Sequence, residues 1–142
     1  MKIKVDPAGF IPVRAYELDA GADLKSIAEY IIYPGEVCKV HTGVSVQVRP
    51  YHVGLIFSRS GQAKHGITLA NSVGVIDSQY RGELIVMLQN NGTEPYYIGR
   101  GDRIAQFVLM PIVIPELIPF EGTNEEWNDT TRGTGGFGST GN

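Results

Sequence analysis

The sequence predicts a mainly β domain, built as a sandwich, a barrel or a jelly-roll-like fold, and three observations lead there. Val44, Val46 and Val48 alternate with Ser45, Gln47 and Arg49, the period of a strand with one buried face. Turn signals recur at short spacing, at Pro34-Gly35, Arg49-Pro50, Asn91-Gly92, Gly99 and Gly101. No long amphipathic helix interrupts them, so short strands joined by tight turns are left to form the core.

The elements follow in chain order. The start, MKIKVDPAGF, lacks the apolar run of a signal peptide. Cys38 lies in a β-like run and reads as a small buried hydrophobe. The one short helix is expected around SRSGQAKHG, with Ser60 capping a single turn. NSVGVIDSQYRGEL (71–84) reads as strand, tight turn, strand. ELIVMLQN and RIAQFVLMPIVI are apolar runs bounded by glycine, proline or asparagine, as buried strands are. EGTNEEWNDT (121–130) is polar and acidic, with Trp127 its only bulky residue, and it reads as an arm leaving the core. The division is a β domain over 1–120 and a flexible arm over 121–142.

Composition narrows the function. The 142 residues suffice for one domain with a real core. A net charge of −3 gives no reason to expect nucleic acid or a membrane surface as partner. A polyanionic ligand must therefore meet positive charge supplied locally or by a metal ion. One cysteine precludes an internal disulfide and fits a reducing, cytoplasmic setting. His41, His52 and His65 lack metal-ligand spacing, and neither a phosphate-binding Walker loop nor a dinucleotide fingerprint is present.

Five stretches depart from plain strand-and-turn composition. In AGADLKS (20–26), Asp23 follows a glycine turn, where an aspartate is common for turn chemistry alone. In SRSGQAKHGI (58–67), Arg59, Ser60 and Gly61 place a cation, a hydroxyl and bare backbone at a helix start, a seat for phosphate. In the 71–84 stretch, Asp77 sits at the turn with Tyr80 three residues on, an acid to activate water and an aromatic to stack on a sugar. In GRGDRIAQF (99–107), Gln106 falls inside an apolar run and needs hydrogen-bond partners, while Asp102 and Arg103 suggest a local ion pair. The last stretch, RGTGGFGSTGN (132–142), is five glycines in eleven residues. Glycine loses the most backbone entropy on ordering, so such a segment is mobile unless tied down. Arg132 and Phe137 among the glycines suit a segment that closes on a phosphorylated ring.

Taken in order, AGADL, RSG with HGI, NSVGVIDSQYRGE, GDRIAQ and RGTGGFGSTG resemble the motifs of the trimeric dUTPases, from about residue 15 to the end. The resemblance implies a jelly-roll-like β-clip subunit assembled as a homotrimer. It also implies hydrolysis of dUTP to dUMP and pyrophosphate through water attacking the α-phosphorus, which keeps uracil out of DNA and supplies dUMP for dTMP synthesis. Each site is then shared, with the first, second and fourth motifs from one subunit, the third from a neighbour, and the arm from the third subunit.

Carried over by residue, Asp77 is the general base. Tyr80 stacks on the deoxyribose and leaves no room for a 2′-hydroxyl. Asn71, Gly74, Val75, Ile76 and Ile85 line and read the uracil. Arg59, Ser60, Gly61 and Gln106 hold the phosphates, with Ser60 meeting charge on the leaving pyrophosphate. Mg²⁺ chelates the triphosphate, and Asp23 reaches the metal's water shell. Phe137 covers the uracil, and Arg132, Gly138, Ser139 and Thr140 grip the terminal phosphate. One departure stands out: three residues, Gln62, Ala63 and Lys64, separate RSG from HGI where the family commonly has four, which implies a tighter helical turn.

Two rivals are set beside this. A deaminase of the same superfamily needs an acid/base group at C4 of cytosine, for which Glu83 is a candidate. A regulatory module with a protein partner is conceivable if the gene is phage-borne.

Overall fold

The structure, a computed structural model, describes residues 1–136. Eleven strands and two single-turn helices are formed among them: β1 (Lys2–Val5), β2 (Ala22–Lys25), β3 (Tyr30–Ile32), β4 (Val37–Val40), β5 (Val44–Gln47), β6 (His52–Phe57), α1 (Ser60–Ala63), β7 (Ile67–Leu69), β8 (Gly74–Ile76), β9 (Val86–Asn90), β10 (Tyr96–Ile98), β11 (Arg103–Pro111) and α2 (Asn124–Trp127). One sheet runs β2-β11-β6-β8 and another β4-β9-β7, with β1-β5 and β3-β10 as two-stranded ladders. Every ladder between these strands is antiparallel. The mainly β expectation holds.

Period-two patterning explains what lies between the sheets. Val44, Val46 and Val48 point inward and are at most 3% exposed, as their alternation predicts. Leu24, Ile32, Val40, Leu84, Val86, Leu88, Ile104 and Phe107 complete the same core, with Cys38 half-buried against it rather than fully inside. Asn90 is fully buried at the end of β9, and its amide is satisfied: Nδ2 donates to the carbonyls of Ile32 and Glu94, and Oδ1 accepts from the Gly92 amide.

Four local expectations are corrected. Ser60 is the first residue inside α1, not its cap; Arg59, with extended backbone, holds the cap position and makes no side-chain capping bond. The 71–85 stretch is not a paired hairpin, because β8 ladders to β6 while β9 ladders to β4 and β7, so the turn carries the chain from one sheet to the other. Leu84, just before β9, is buried in the core on the far side of that crossing. The last apolar run ends as a strand at Pro111, and Ile112, Val113 and Ile114 leave the sheet exposed. A second helix, α2, forms in the arm on a capping box: Thr123 Oγ1 accepts from the Glu126 amide and Glu126 accepts from the Thr123 amide. Residues 110–134 are all exposed, and Trp127 packs on Phe120 at 5.0 Å between ring centres.

Candidate active site

The first, second and fourth motifs meet because of strand register. Gln106 on β11 is paired with Asp23 on β2 on one side and with Phe57 on β6 on the other. Alternation along β2 turns Ala22 and Leu24 inward and Asp23 outward. A register shift in β11 between Arg103 and Ala105 lets Ile104 and Ala105 both face the core while Arg103 and Gln106 face out. Two residues past Phe57 the chain reaches Arg59. A hollow of about 300 Å³ results, lined among others by Asp19, Gly21, Asp23, Arg59, Ser60, Arg103 and Gln106.

Its charge is organised around one carboxylate. Asp23 Oδ1 accepts from Arg59 Nε at 2.8 Å and Oδ2 from Arg103 Nη1 at 3.4 Å. Two guanidiniums thus converge on one carboxylate, with Asp19 also on the wall, and arginine's planar fork suits phosphate oxygens. Arg103 therefore reaches Asp23 rather than forming the expected pair with Asp102, whose Oδ2 instead accepts from the Gly99 amide. Gln106 Nε2 donates to the Ser58 carbonyl at 3.1 Å. Gly21 makes room for this amide: a methyl there would collide with Gln106 Oε1 and stand 3.2 Å from its Cδ.

No group of three or more His, Cys, Asp or Glu able to cage a metal occurs among the described residues. Asp23, beside two arginines in an open hollow, fits a hard cation that arrives on a ligand's phosphates and keeps most of its waters.

The third motif stands elsewhere. β8 is the outer strand of its sheet, laddered to β6 on one side, so its other edge presents open backbone N–H and C=O groups. Gly74 is buried against Ile56, Ile76 is half-buried, and Val75 and Ile85 are exposed at 63% and 38%. Asn71 is exposed, its carbonyl accepting from the Val73 amide. Asp77 is exposed at the turn, where its carbonyl accepts from the Tyr80 amide at 3.1 Å. Tyr80 Oη donates to the Glu83 carbonyl at 2.8 Å.

Within one chain these two groups do not meet. Ile76 pairs with Gly54, so Asp77 lies beside the start of β6, whereas Arg59 follows its end at Phe57. Four strand residues alone separate those levels by roughly 13 Å, at about 3.3 Å per residue. Arg132 donates from Nε to the Gly135 carbonyl at 2.9 Å and is absent from the hollow's lining. Phe137, Gly138, Ser139 and Thr140 lie outside the described residues.

Sequence reasoning missed Arg103 as a partner of Asp23, since only the register shift in β11 aims it there. It also missed what Glu83 does. Its Oε1 accepts from the amides of Thr42 and Gly43 at 2.9 and 2.7 Å, and its Oε2 meets His41 Nδ1 at 2.8 Å. Burial opposes the charge, but the His41 hydrogen bond, the Gly43 amide, the charge of His41 and the Thr42 amide outweigh it and hold the carboxyl below its ordinary pKa. Within one chain this carboxylate is thus engaged by the 41–43 loop, where the deaminase reading has it beside the base.

Comparison with known proteins agrees with the motif reading. A dUTPase family profile matches residues 8–141. The deoxyuridine 5'-triphosphate nucleotidohydrolase of Desulfitobacterium hafniense (strain DSM 10664 / DCB-2) is 43% identical over 98% of this chain and 92% of its own length. Among solved structures, the dUTPase of Staphylococcus bacteriophage 80alpha with dUPNHPP superposes with a TM-score of 0.88 at 29% identity, covering 99% of this chain and 97% of that one. A mutant dUTPase from phage phi11 of S. aureus, described for coordination of a structural Mg(II) ion, gives 0.79 at 28% identity over 85% of this chain and 96% of its own. The chain belongs to the dUTPase family.

Proposed function

We propose that the chain hydrolyses dUTP to dUMP and pyrophosphate in active sites that copies of it share, as a homotrimer. The observation that carries this reading is the placement of two complementary half-sites at opposite ends of β6. A hollow that brings two arginines, Arg59 and Arg103, together with Asp19, Asp23, Ser60 and Gln106 follows its end, and an acid and an aromatic on the 77–80 turn flank its start. Water that Asp77 activates must reach a phosphorus held by arginines, so the hollow of one copy has to face the turn of another.

In that arrangement Arg59, Ser60, Gly61 and Gln106 hold the phosphates, and the Ser60 hydroxyl donates to the oxygen on which charge grows as pyrophosphate leaves. Asp77 accepts the proton of the attacking water. The open edge of β8, with Asn71 just before it in the chain, pairs with the uracil edge, Ile85 adds an apolar wall, and Tyr80 closes the space a 2′-hydroxyl would need. A site built to pair particular polar groups rejects mismatched ones sharply. Mg²⁺ on the triphosphate neutralises charge and favours an in-line geometry. Asp23 would face its water shell. Arg132, Phe137, Gly138, Ser139 and Thr140 of the 121–142 arm cover the ligand. A cytoplasmic setting goes with this reading; no helix among the described residues is long and apolar enough to cross a membrane.

The test is pyrophosphate release with Mg²⁺ from dUTP, dCTP, dTTP and UTP in parallel. Release from dUTP alone is expected, and release from none of them overturns the reading. A regulatory protein partner is the second reading, supported by similarity to the phage 80alpha dUTPase, one of the phage dUTPases described as controlling transfer of virulence genes. A dUTP-dependent partner retained by Asp77→Asn would support it.

A further inference from the structure

The 77–83 turn crosses between two sheets, so neither ladder holds it along its length. Its own bonds are short-range: Tyr80 to Asp77, and Arg81 Nη1 to the carbonyls of Ser78 and Tyr80. The anchorage of its far end runs to residues 41–45. The Leu84 amide donates to the Val44 carbonyl at 2.7 Å, and Thr42 Oγ1 to the Leu84 carbonyl at 2.7 Å. A backbone bridge also pairs Ser45 with Glu83, and the side-chain anchor is the Glu83 carboxylate. The Glu83 carboxylate takes the amides of Thr42 and Gly43 on one oxygen and His41 on the other. The same residue's carbonyl receives Tyr80 Oη. One residue thus grips the 41–43 loop with its side chain and the Tyr80 ring with its backbone.

We propose that Glu83 is a positioning residue for sugar selection: its carboxylate clamps the 77–83 turn to the 41–43 loop, and the clamp fixes the height of the Tyr80 ring against the deoxyribose. This rests on the dUTP reading above. Charge-assisted hydrogen bonds are about twice as strong as neutral ones, so a carboxylate with three donors is a strong side-chain link added to the backbone bonds at this end of the turn. A ring free to retreat by a fraction of an ångström would admit the 2′-hydroxyl it otherwise excludes. The sequence carries the pair as His41 and Glu83, forty-two residues apart, with no local pattern to join them.

The test compares wild type, Glu83→Gln and Glu83→Ala in two measurements on the assembled protein. The first is hydrogen–deuterium exchange at the Thr42 and Gly43 amides, which reads the clamp without substrate. The second is the ratio of kcat/KM for dUTP to that for UTP. Glu83→Ala is expected to speed exchange and to lower the ratio by about tenfold or more, the factor that each 1.4 kcal/mol of transition-state discrimination carries. Glu83→Gln keeps an oxygen for both amides and is expected to recover most of the protection and the ratio. Unchanged exchange in Glu83→Ala overturns the clamp. Faster exchange with an unchanged ratio overturns the role in sugar selection. A wild type with no preference for dUTP overturns the parent reading instead, and exchange still judges the clamp.

Discussion

Adding one methyl at Gly82 should test where Tyr80 stands. The backbone there is outside the left-handed region, so alanine acts by collision and not by backbone strain. A Cβ on Gly82 would collide with Tyr80 Oη and lie 2.6 Å from Cζ and 3.0 Å from Cε2. Carbon atoms rest about 3.5–4.0 Å apart, so the ring must withdraw by roughly 1 Å. That movement also breaks the 2.8 Å bond from Tyr80 Oη to the Glu83 carbonyl. A misplacement of about 1 Å costs on the order of 100-fold in rate where a group positions substrate, or about 2.7 kcal/mol. The folding cost is smaller, about 0.5–1.5 kcal/mol for one exposed neutral hydrogen bond. Gly82→Ala should therefore melt within a few degrees of wild type while kcat/KM for dUTP falls about 100-fold. Tyr80→Phe, which loses the bond but keeps the ring unobstructed, should lose about tenfold at most. A folded Gly82→Ala with wild-type kcat/KM for dUTP and for UTP would refute the placement of Tyr80 at the sugar.

Asp77→Asn should lower turnover by orders of magnitude in single-turnover assays while a non-hydrolysable dUTP analogue still binds; near-normal turnover removes Asp77 as the base. Deleting residues 132–142 should leave a folded assembly that is nearly inactive, and full activity would end the case for the arm as a cover. Gln62 is 4% exposed and its Oε1 has no partner among the described residues, so Gln62→Leu should stabilise the fold by about 1–3 kcal/mol in chemical denaturation; destabilisation would mean that the amide is satisfied in the assembly. The lowered pKa of Glu83 makes its contribution fully present above the unfolded-state pKa and lost as pH falls through the folded one. The acid limb of a melting-temperature profile should accordingly flatten in Glu83→Gln, and an unchanged slope would show that the carboxylate is not linked to folding.

How much of this was legible in the sequence depends on range. Val44, Val46 and Val48 were placed by alternation alone, because period two is a local consequence of the pleat. The cap of α1 was missed by one residue, since Ser60 has the right chemistry and Arg59 the extended backbone that a cap position needs. The capping box of α2 was visible as Thr123 with Glu126 three residues on, and was overlooked inside a stretch that reads as polar linker. The 71–85 stretch has the turn residues of a hairpin, but pairing partners are a tertiary matter: the Leu84 amide bonds to Val44 of β5 and the strand that follows, β9, pairs with β4 and β7. Within the site, motif resemblance named Asp23, Arg59 and Gln106. It could not say that Gln106 stands level with Asp23, or that Arg103 shares the carboxylate, because both follow from the register of β11.

Two features of the chain point to the same requirement. A protein of net charge −3 that takes a polyanion must concentrate its cations, and it does so by holding Arg59 and Arg103 on a single Asp23 whose side chain is 14% exposed. The carboxylate keeps the guanidiniums in place, so their entropy is already spent when phosphate arrives. On the proposed reading the base, Asp77, does not lie beside them on the same subunit, because β6 is a strand with the hollow after its end and Asp77 near its start. Placing both on one chain would require the 77–83 turn to leave Val44 and the 41–43 loop, at the loss of its anchoring bonds. Rigidity in the subunit is thus the physical ground for the sites proposed to be shared between subunits. Activity per chain should then vanish on dilution below the assembly's dissociation constant, while each subunit's hollow keeps its affinity for phosphate.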